Sequence, residues 1–543
     1  MPILLRNIPL GLEEPEDELL MLAARRLRVP VSAIRNYAIV RRSLDARKED
    51  IRFSYHLEIA LDEPLRKERS RLRRIKPGNA SWIEPEPIPQ LEHGIQELRE
   101  RPVVVGFGPA GMFAGLRLAQ HGYKPIIFER GREVRRRHRD VLKRYFRERD
   151  FDPASNLLFG EGGAGTYSDG KVYTRLGDPL CRAVLETLYQ HGADPDILIN
   201  ARPHIGSDRL PTICTRIRRK IESLGGEIHF ESVIDDIRVD DECLAAIHVR
   251  TTGERPTESW MLCGPVIFAI GHSARDTIEM LINRGVRVTP KPFQLGVRIE
   301  HPQAMVDRWQ YGTLAGHPRL GPAEYNVVAS GAASDCGDMF SFCMCPGGMI
   351  LPAVESPGLI ATNGASRSRR SSSFANSGLV ITLDPATMGL NPLEALAFQR
   401  GWEHLAFQVT DGSYRVPCQR ASDYLHERPS DGTLSVSCPL GGQWAEIRTV
   451  LPEVVARALD RGLPMLERKF PGFAGPEGLI AGPESRASVP VRILRDRDTR
   501  QASRTANLYP AGEGSGYAGG IVTAAVDGMK SADAIIQRYA PTA

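Results

Sequence analysis

The chain has 543 residues, 42% of them hydrophobic and 25% charged, with a formal net charge of +4; at about 100–200 residues per domain this predicts two to four domains built on real cores. No apolar run reaches the roughly 18 residues of a membrane-spanning helix, and the opening MPILLRNIPLGLEEPEDE lacks the basic-then-apolar order of a secretory signal, so a cytoplasmic protein with no membrane span is expected. Nine cysteines, an odd number with no CxxC pair, argue against both a disulfide framework and a zinc site, and no metal is expected.

Residues 1–76 read as a small α+β module: a strand at Ile3–Arg6, a helix at Asp17–Leu27 opening in the acidic stretch Glu13–Glu18, and β-rich segments at Ala38–Arg41 and Ile51–Ile59. Residues 77–100 begin proline-rich and polar, which predicts a linker ending in a short helix. The composition changes at Pro102. Val103–Val105 reads as a buried strand, Ala110–His121 as a helix and Pro125–Phe128 as the next strand, a βαβ unit that demands a parallel sheet. Helices at 181–192 and 210–224 and strands at Glu227–Val233, Leu244–Val249 and Val266–Ile270 fill out a first part spanning 101–285. Residues 286–490 mix β-rich segments (Phe293–Ile299, Met349–Leu351, Leu359–Thr362, Gly378–Thr382) with helices at 391–408 and 452–469, which predicts an inserted α+β substrate domain. Residues 491–543 return to the first part with a strand at Asn507–Pro510, a glycine turn and a helix from Gly520.

The strongest motif is VVVGFGPAGMFAGLRLAQHGYKPIIFERG, residues 103–131. Gly106 permits a tight turn out of the strand, Gly108 lets backbone approach a pyrophosphate, and Gly111 lets the helix pack closely on the sheet. The helix N-terminus, around Pro109 and Ala110, presents unpaired N–H groups and partial positive charge to phosphate. Glu129, 23 residues after Gly106, ends the second strand, where a carboxylate can accept from the ribose hydroxyls of an adenosine. A glycine turn in an unrelated α/β protein does not account for that acid.

Two further glycine-rich segments decide between dinucleotides. NLYPAGEGSGYAGGIVTAAVDG, residues 507–528, offers Gly512 and Glu513 at a strand end, then Gly519, Gly520 and Ile521 at a helix start, where N–H groups suit the growing negative charge of a reduced flavin. FGEGGAGTYSDGKVYTR, residues 159–175, exposes backbone at Gly163 and Gly170 and adds Ser168, Asp169 and Lys171, as either a cofactor loop or a surface loop. Basic residues crowd two stretches: ten Lys or Arg against three acids in 130–149, and seven in 66–76. A solvated helical face explains such runs, although one or two arginines of the first follow the clamp closely enough to reach a phosphate or ribose. Nothing resembles an aromatic-rich sheet or a helix-turn-helix, so nucleic-acid binding is not the expectation.

Together GFGPAG, FGEGGAGTYSDGK, CMCPGG, NGAS, FANSGLV, PVRILRD and YPAGEGSGYAGGI resemble the FAD-dependent dehydrogenase family of bacteria, over residues 1 to about 540. More distantly the chain resembles the glutathione-reductase-type flavoproteins, including fumarate reductase and geranylgeranyl reductase relatives. The resemblance implies an α/β fold: a Rossmann-type FAD-binding domain, an inserted α+β substrate domain and the small N-terminal α+β module. It implies noncovalent FAD, held at Gly106, Gly108, Gly111, Glu129 and Arg130, at the 160–171 loop, and at Gly512, Glu513 and Gly520. Val233 and Gly271, at neighbouring strand ends, complete the expected cofactor residues.

Candidates for the reacting face are weaker. FSFCMCPGG, residues 340–348, offers Cys343 and Cys345 as thiols over a flavin, yet free cysteines commonly serve as small core residues, and CxC is not the usual spacing of a flavin-linked dithiol. Arg298 and Glu300 share one face of a strand and hold a carboxylate substrate or form an ion pair, the latter favoured. Arg486 and Arg492 suit an anionic substrate or a salt bridge, and Asn363 reads as a turn residue. The expectation is an FAD-dependent oxidoreductase moving a hydride between flavin N5 and a small-molecule substrate. With a single GxGxxG, no dedicated NAD(P)H domain is evident, and the electron partner is NAD(P)H bound transiently, a quinone, oxygen or another protein. A flavoprotein acting on RNA through the basic N-terminal region and a low-turnover flavin scaffold or sensor stay open as alternatives.

Overall fold

The computed structural model describes residues 2–47, 50–62, 75–76, 78–83, 91–253, 255–333 and 337–541. The basic run at 66–76 lies outside these, apart from its last two residues. β1 (Ile3–Gly11), α1 (Glu18–Leu27), β2 (Ile34–Asp45), β3 (Arg52–Leu61) and β4 (Ala80–Trp82) form an N-terminal unit, its antiparallel sheet ordered β2-β3-β1-β4. β1 and β3 turn Ile3, Leu5, Tyr55, Leu57 and Ile59 inward, and α1 covers them with Leu19, Ala23, Ala24 and Leu27. Two expectations for 77–100 fail. Residues 80–82 are a sheet strand, not linker, and 91–100 form no helix. They run extended against the C-terminal helix, with Gln96 bridging to Tyr539 and the Gly94 amide donating to the Ile536 carbonyl at 2.8 Å.

The second unit begins with β5 (Val103–Val105), α2 (Pro109–Gln120), β6 (Ile126–Phe128), α3 (Leu180–Gln190), α4 (Leu210–Ser223) and β7 (Glu227–His229). β8 (Ser232–Asp240), β9 (Cys243–Thr251) and β10 (Glu258–Leu262) make a separate three-stranded antiparallel sheet, before β11 (Val266–Phe268), α5 (Arg275–Asn283) and β12 (Val288–Pro290). The run Glu227–Val233, read as one strand, therefore splits; the break falls at Glu231, whose φ of +53° no strand accommodates.

Residues 293–484 supply β13 (Phe293–Pro302), β14 (Val328–Ala329), β15 (Met339–Cys345), β16 (Gly348–Ala353), β17 (Ala361–Ser366), β18 (Phe374–Leu383), α6 (Pro392–Gln408), β19 (Val416–Arg420), β20 (Gly442–Trp444), α7 (Glu453–Lys469) and β21 (Leu479–Glu484). Seven of these strands form one sheet ordered β14-β15-β18-β13-β21-β19-β20, centred on the β13–β18 pair, with β16 and β17 a hairpin beside it. The chain returns through β22 (Val491–Ile493), β23 (Leu508–Pro510) and α8 (Ile521–Arg538). β22 pairs with β12, stitching together the way into the large sheet and the way out. β23 joins the parallel sheet, ordered β23-β11-β5-β6-β7. Its central strands read as continuous apolar runs because both faces are covered, one of them by α2 and α8. The carboxyl ends of β5, β11 and β23 open side by side beneath the large sheet, the usual place for a ligand crevice in such folds.

Candidate cofactor cleft

The chain leaves β5 through Gly106 at φ +96°, where a Cβ would sit 2.5 Å from the Ala269 carbonyl oxygen. It enters α2 at Gly108, with Pro109 in the first turn and no side chain capping the amides. That leaves the helix N-terminus free to meet an anion. A Cβ on Gly111 would overlap the Gly106 carbonyl oxygen, so this glycine sets the helix-to-strand approach and does not itself wall the cleft. A Cβ on Gly108 would point into open space toward Gly163, 3.8 Å away.

Glu129 is buried at the end of β6. One carboxylate oxygen accepts from the Phe107 amide at 2.8 Å, the other from the Gly131 and Gly160 amides at 2.9 Å each. The acid thus ties three segments together while also facing the cleft. Arg130 does not line the cleft: its guanidinium spans both Asp276 oxygens (3.1 and 3.0 Å) and lies over the Phe159 ring. Val233 is likewise absent from the walls, because its strand belongs to the β8–β9–β10 sheet.

No arginine of the basic run 130–149 reaches the cleft. Arg137 has a different task. Fully buried, it donates to the carbonyls of Asn156 (2.8 Å), Glu161 (2.7 Å), Leu157 (3.0 Å) and Gly163 (2.9 Å) and stacks on Tyr167. The glycine-rich loop is therefore wrapped around an internal cation instead of lying loose on the surface. Its Gly163, at φ +61°, passes close beneath Gly108, and Ser168, Asp169, Gly170 and Lys171 continue the wall. Asp169 binds Ser366, Arg370 (3.0 Å) and Lys171 (2.9 Å). Burial raises its pKa, but Lys171 and Arg370 outweigh that and hold the carboxyl below its ordinary value.

From the other side come Gly271, after β11, and Gly512, Glu513, Gly520 and Ile521, after β23. The Gly512 amide donates to Asp527 at 2.8 Å, which fixes the turn to α8. Gly520 begins α8 with no side-chain cap, so a second bare helix N-terminus meets the cleft. Gly519 stands just outside, its amide engaged by Thr523 at 3.2 Å. Burial pushes the Glu513 carboxyl up to about 8, only partly opposed by Lys291.

The large sheet closes the far end with Phe342 and Cys343, and the hairpin beside it with Asn363. Asn363 lies in β17 and not in a turn. His272 and Arg486 also face the cleft. Arg486 donates to Glu355 and Glu403 at 2.8 Å each; Arg275 donates to Glu403 at 2.5 Å and pairs in charge with Glu355 at 3.1 Å without a hydrogen bond. Burial first, then Arg486 and Arg275, drives His272 down to about 3 and keeps its imidazole neutral. His272 was not singled out in the sequence; its place directly after Gly271 at a strand end was the available signal. The expected Arg298–Glu300 ion pair is not formed. Arg298 reaches across to Glu484 (2.8 Å) and Asn376 (2.7 Å) on the flanking strands, while Glu300 accepts from the Ser437 amide (2.9 Å) and hydroxyl. Neither touches the cleft.

The cleft has an empty volume of about 1200 Å³, its open mouth included. An extended dinucleotide fits what lines it: two uncapped helix N-termini, crowding that excludes a Cβ at Gly106, open room above Gly108, and an acid at one end. Among the described residues no group of histidine, cysteine or carboxylate side chains could hold a metal, and no helix is long and apolar enough to cross a membrane.

Residues 292–487 match the family described as FAD-dependent protein, C-terminal domain-like, and residues 3–60 match a domain of unknown function. An uncharacterised protein of Clostridium beijerinckii is 38% identical over 543 residues, covering 99% of each chain. Solved structures similar in part include glycerol-3-phosphate dehydrogenase from Bacillus halodurans complexed with FAD (11% identity, 82% of this chain and 67% of that one, TM-score 0.38). Glycine oxidase from Geobacillus kaustophilus is another (11% identity, 82% and 96%, TM-score 0.35). Likeness at that level carries no argument about function. The end-to-end identity with the Clostridium protein and the match over the large sheet do carry weight, and with the cleft they lead to one conclusion: the chain belongs to the family of FAD-dependent proteins.

Proposed function

We propose that this FAD-dependent protein is an oxidoreductase that exchanges hydride equivalents between FAD in the cleft and a small organic substrate held against the large sheet. The observation that carries the reading is the continuity of the cleft: it runs from Glu129 past the N-termini of α2 and α8 to Cys343, Asn363 and Arg486. Glu129 would take the adenosine ribose, and the α2 amides and Gly163 the diphosphate. Gly512, Glu513, Gly520 and Ile521 would take the isoalloxazine. FAD supplies a two-electron redox centre there; the protein supplies position and field. Near neutral pH Glu513 keeps its proton and is able to donate a hydrogen bond to the cofactor where an ordinary carboxylate would only accept. The neutral His272 adds a hydrogen-bonding group without charge, and the bare α8 N-terminus favours negative charge nearby.

The test is an absorption spectrum of the purified protein followed by anaerobic titration with NADH, NADPH and a panel of small organic reductants. Oxidised-flavin bands that bleach with at least one of them are expected. A well-folded protein that stays colourless after reconstitution with FAD overturns the proposal, and flavin that no member of a broad panel reduces overturns its substrate class.

A further inference from the structure

Cys343 and Cys345 stand two residues apart in β15, a spacing that in a regular strand puts both side chains on one face. This strand is not regular there. Phe342 pairs with Gly378 and Cys345 with Asn376, so Cys343 and Met344 of β15 stand against Ser377 alone of β18, and the extra residue is absorbed at Cys343, at φ +46°. The bulge turns Cys343 to the cleft wall, half-buried, and leaves Cys345 fully buried behind it. The two remain in contact: the Cys345 thiol donates to the Cys343 carbonyl at 3.3 Å, and Arg298 donates to the same oxygen at 3.3 Å. Lys171, anchored on Asp169, brings its ammonium within 3.9 Å of the Cys345 sulfur. Beneath lies Arg298, with one guanidinium nitrogen lacking any hydrogen-bond partner. Two thiols thus meet two cations at the edge of a cavity.

We propose that Cys343 and Cys345 form a thiol–disulfide exchange pair, Cys343 attacking and Cys345 resolving, acting on a small disulfide-bonded substrate that enters the cleft. The Cys343 thiolate attacks one sulfur of the substrate disulfide. The substrate S–S bond breaks, a mixed disulfide forms on Cys343, and the first thiolate leaves and takes up a proton. Cys345 then loses its proton and attacks the Cys343 sulfur. The mixed disulfide breaks, the second substrate thiol departs with that proton, and a Cys343–Cys345 disulfide remains. Two electrons have passed from the dithiol to the substrate, and an excess of a small monothiol reverses both steps. This activity is additional to the flavin reading and does not depend on it.

The charge pattern suits the roles. A side-chain hydrogen bond between the Cys345 and Cys343 thiols, separate from the bond to the carbonyl, is the largest influence lowering Cys343; burial opposes it, and Lys171 and Arg298 reinforce it, so the thiol lies at about 5. The same hydrogen bond, with burial, pushes Cys345 well above its ordinary value. Asp169, Glu484, Glu513, Tyr173 and Tyr325 are acidic groups facing the pair. The attacking sulfur is thus charged while the resolving one keeps its proton until it is needed.

The full-length, flavin-loaded protein is treated with iodoacetamide from about pH 5 to 9, and labelling is followed by peptide mapping. Near pH 6, an ordinary thiol is about 0.3% thiolate; full ionisation less the lower nucleophilicity of a weakly basic sulfur leaves a net advantage of roughly five- to tenfold. Cys343 should therefore label that much faster than an ordinary thiol, with its rate already level by about pH 6. In a second arm, hydroxyethyl disulfide should leave the wild type with a Cys343–Cys345 disulfide, two hydrogens lighter, and Cys345→Ser with a mixed disulfide on Cys343. Cys343→Ser should form neither. Labelling that keeps rising through about pH 8.5, as for an ordinary thiol, overturns the proposal. So does a flavin-loaded wild type that gains no disulfide, a readout that stands even if Cys345→Ser fails to fold.

Discussion

The carboxylate of Glu129 accepts from three backbone amides, which leaves about one of its roughly four acceptor sites for a ribose hydroxyl. Glu129→Ala should therefore do two things: lower FAD retention, and destabilise the fold by about 1–3 kcal/mol, because buried amides lose their acceptor. Flavin remaining after gel filtration and urea denaturation measure the two separately. Full flavin occupancy at low FAD would remove the ribose role, and unchanged stability would remove the structural one. The acid was legible in the sequence because it ends a strand at a fixed distance from a glycine turn. Arg137 was not. Among ten basic residues in 130–149 nothing marks the one whose neighbours in space are the carbonyls of residues 156–163.

Among the elements, the β5–α2–β6 unit is the part most fully written in the sequence, since its strand–turn–helix–strand order and its glycine positions are set by neighbours close along the chain. Its helix can lie as close as it does only because Gly111 has no side chain. Gly111→Ala should push α2 from β5, costing about 1–3 kcal/mol as an overpacked site, and should weaken FAD binding because the α2 amides move with the helix. Thermal unfolding together with an FAD titration checks both, and a variant that binds FAD as the wild type does would separate the helix position from the cofactor. The bulge in β15, the break between β7 and β8 and the strap at 91–100 were not legible. Each is decided by a partner far along the chain: two residues of β18, the edge of the parallel sheet, and the end of α8.

Across the whole molecule, the parallel sheet and the large sheet meet at a buried cluster. Arg275, from the helix after β11, and Arg486, after β21, share Glu355 and Glu403. Arg400 adds a third cation 3.7 Å from Glu355, so removing the Glu403 charge leaves buried cations short of a counter-charge in a medium that solvates them poorly. Glu403→Gln should cost about 3–5 kcal/mol, read by urea unfolding near neutral pH. Burial raises the pKa of Glu403, but Arg275 and Arg486 prevail and hold it below its ordinary 4.5. Its stabilisation is thus complete above that value and disappears as pH falls through the lower, folded-state value. The gap between wild type and Glu403→Gln should narrow on acidification; a gap that stays constant would mean the cluster does not act through this charge.

By itself the sequence determined most of the order of elements, the parallel arrangement of β5 and β6, and the three glycine-rich segments that wall the cleft. Hydrophobic periodicity and the need for close backbone approach act over a few residues and leave marks in any single stretch of chain. Only the tertiary structure decided which charged residues are internal pins, which acid pairs with Arg298, and that a CxC in a strand becomes one thiol facing a cavity with another behind it. Those outcomes depend on the desolvation of a charge and the spacing of a neighbouring strand, and both exist only once distant segments have packed together.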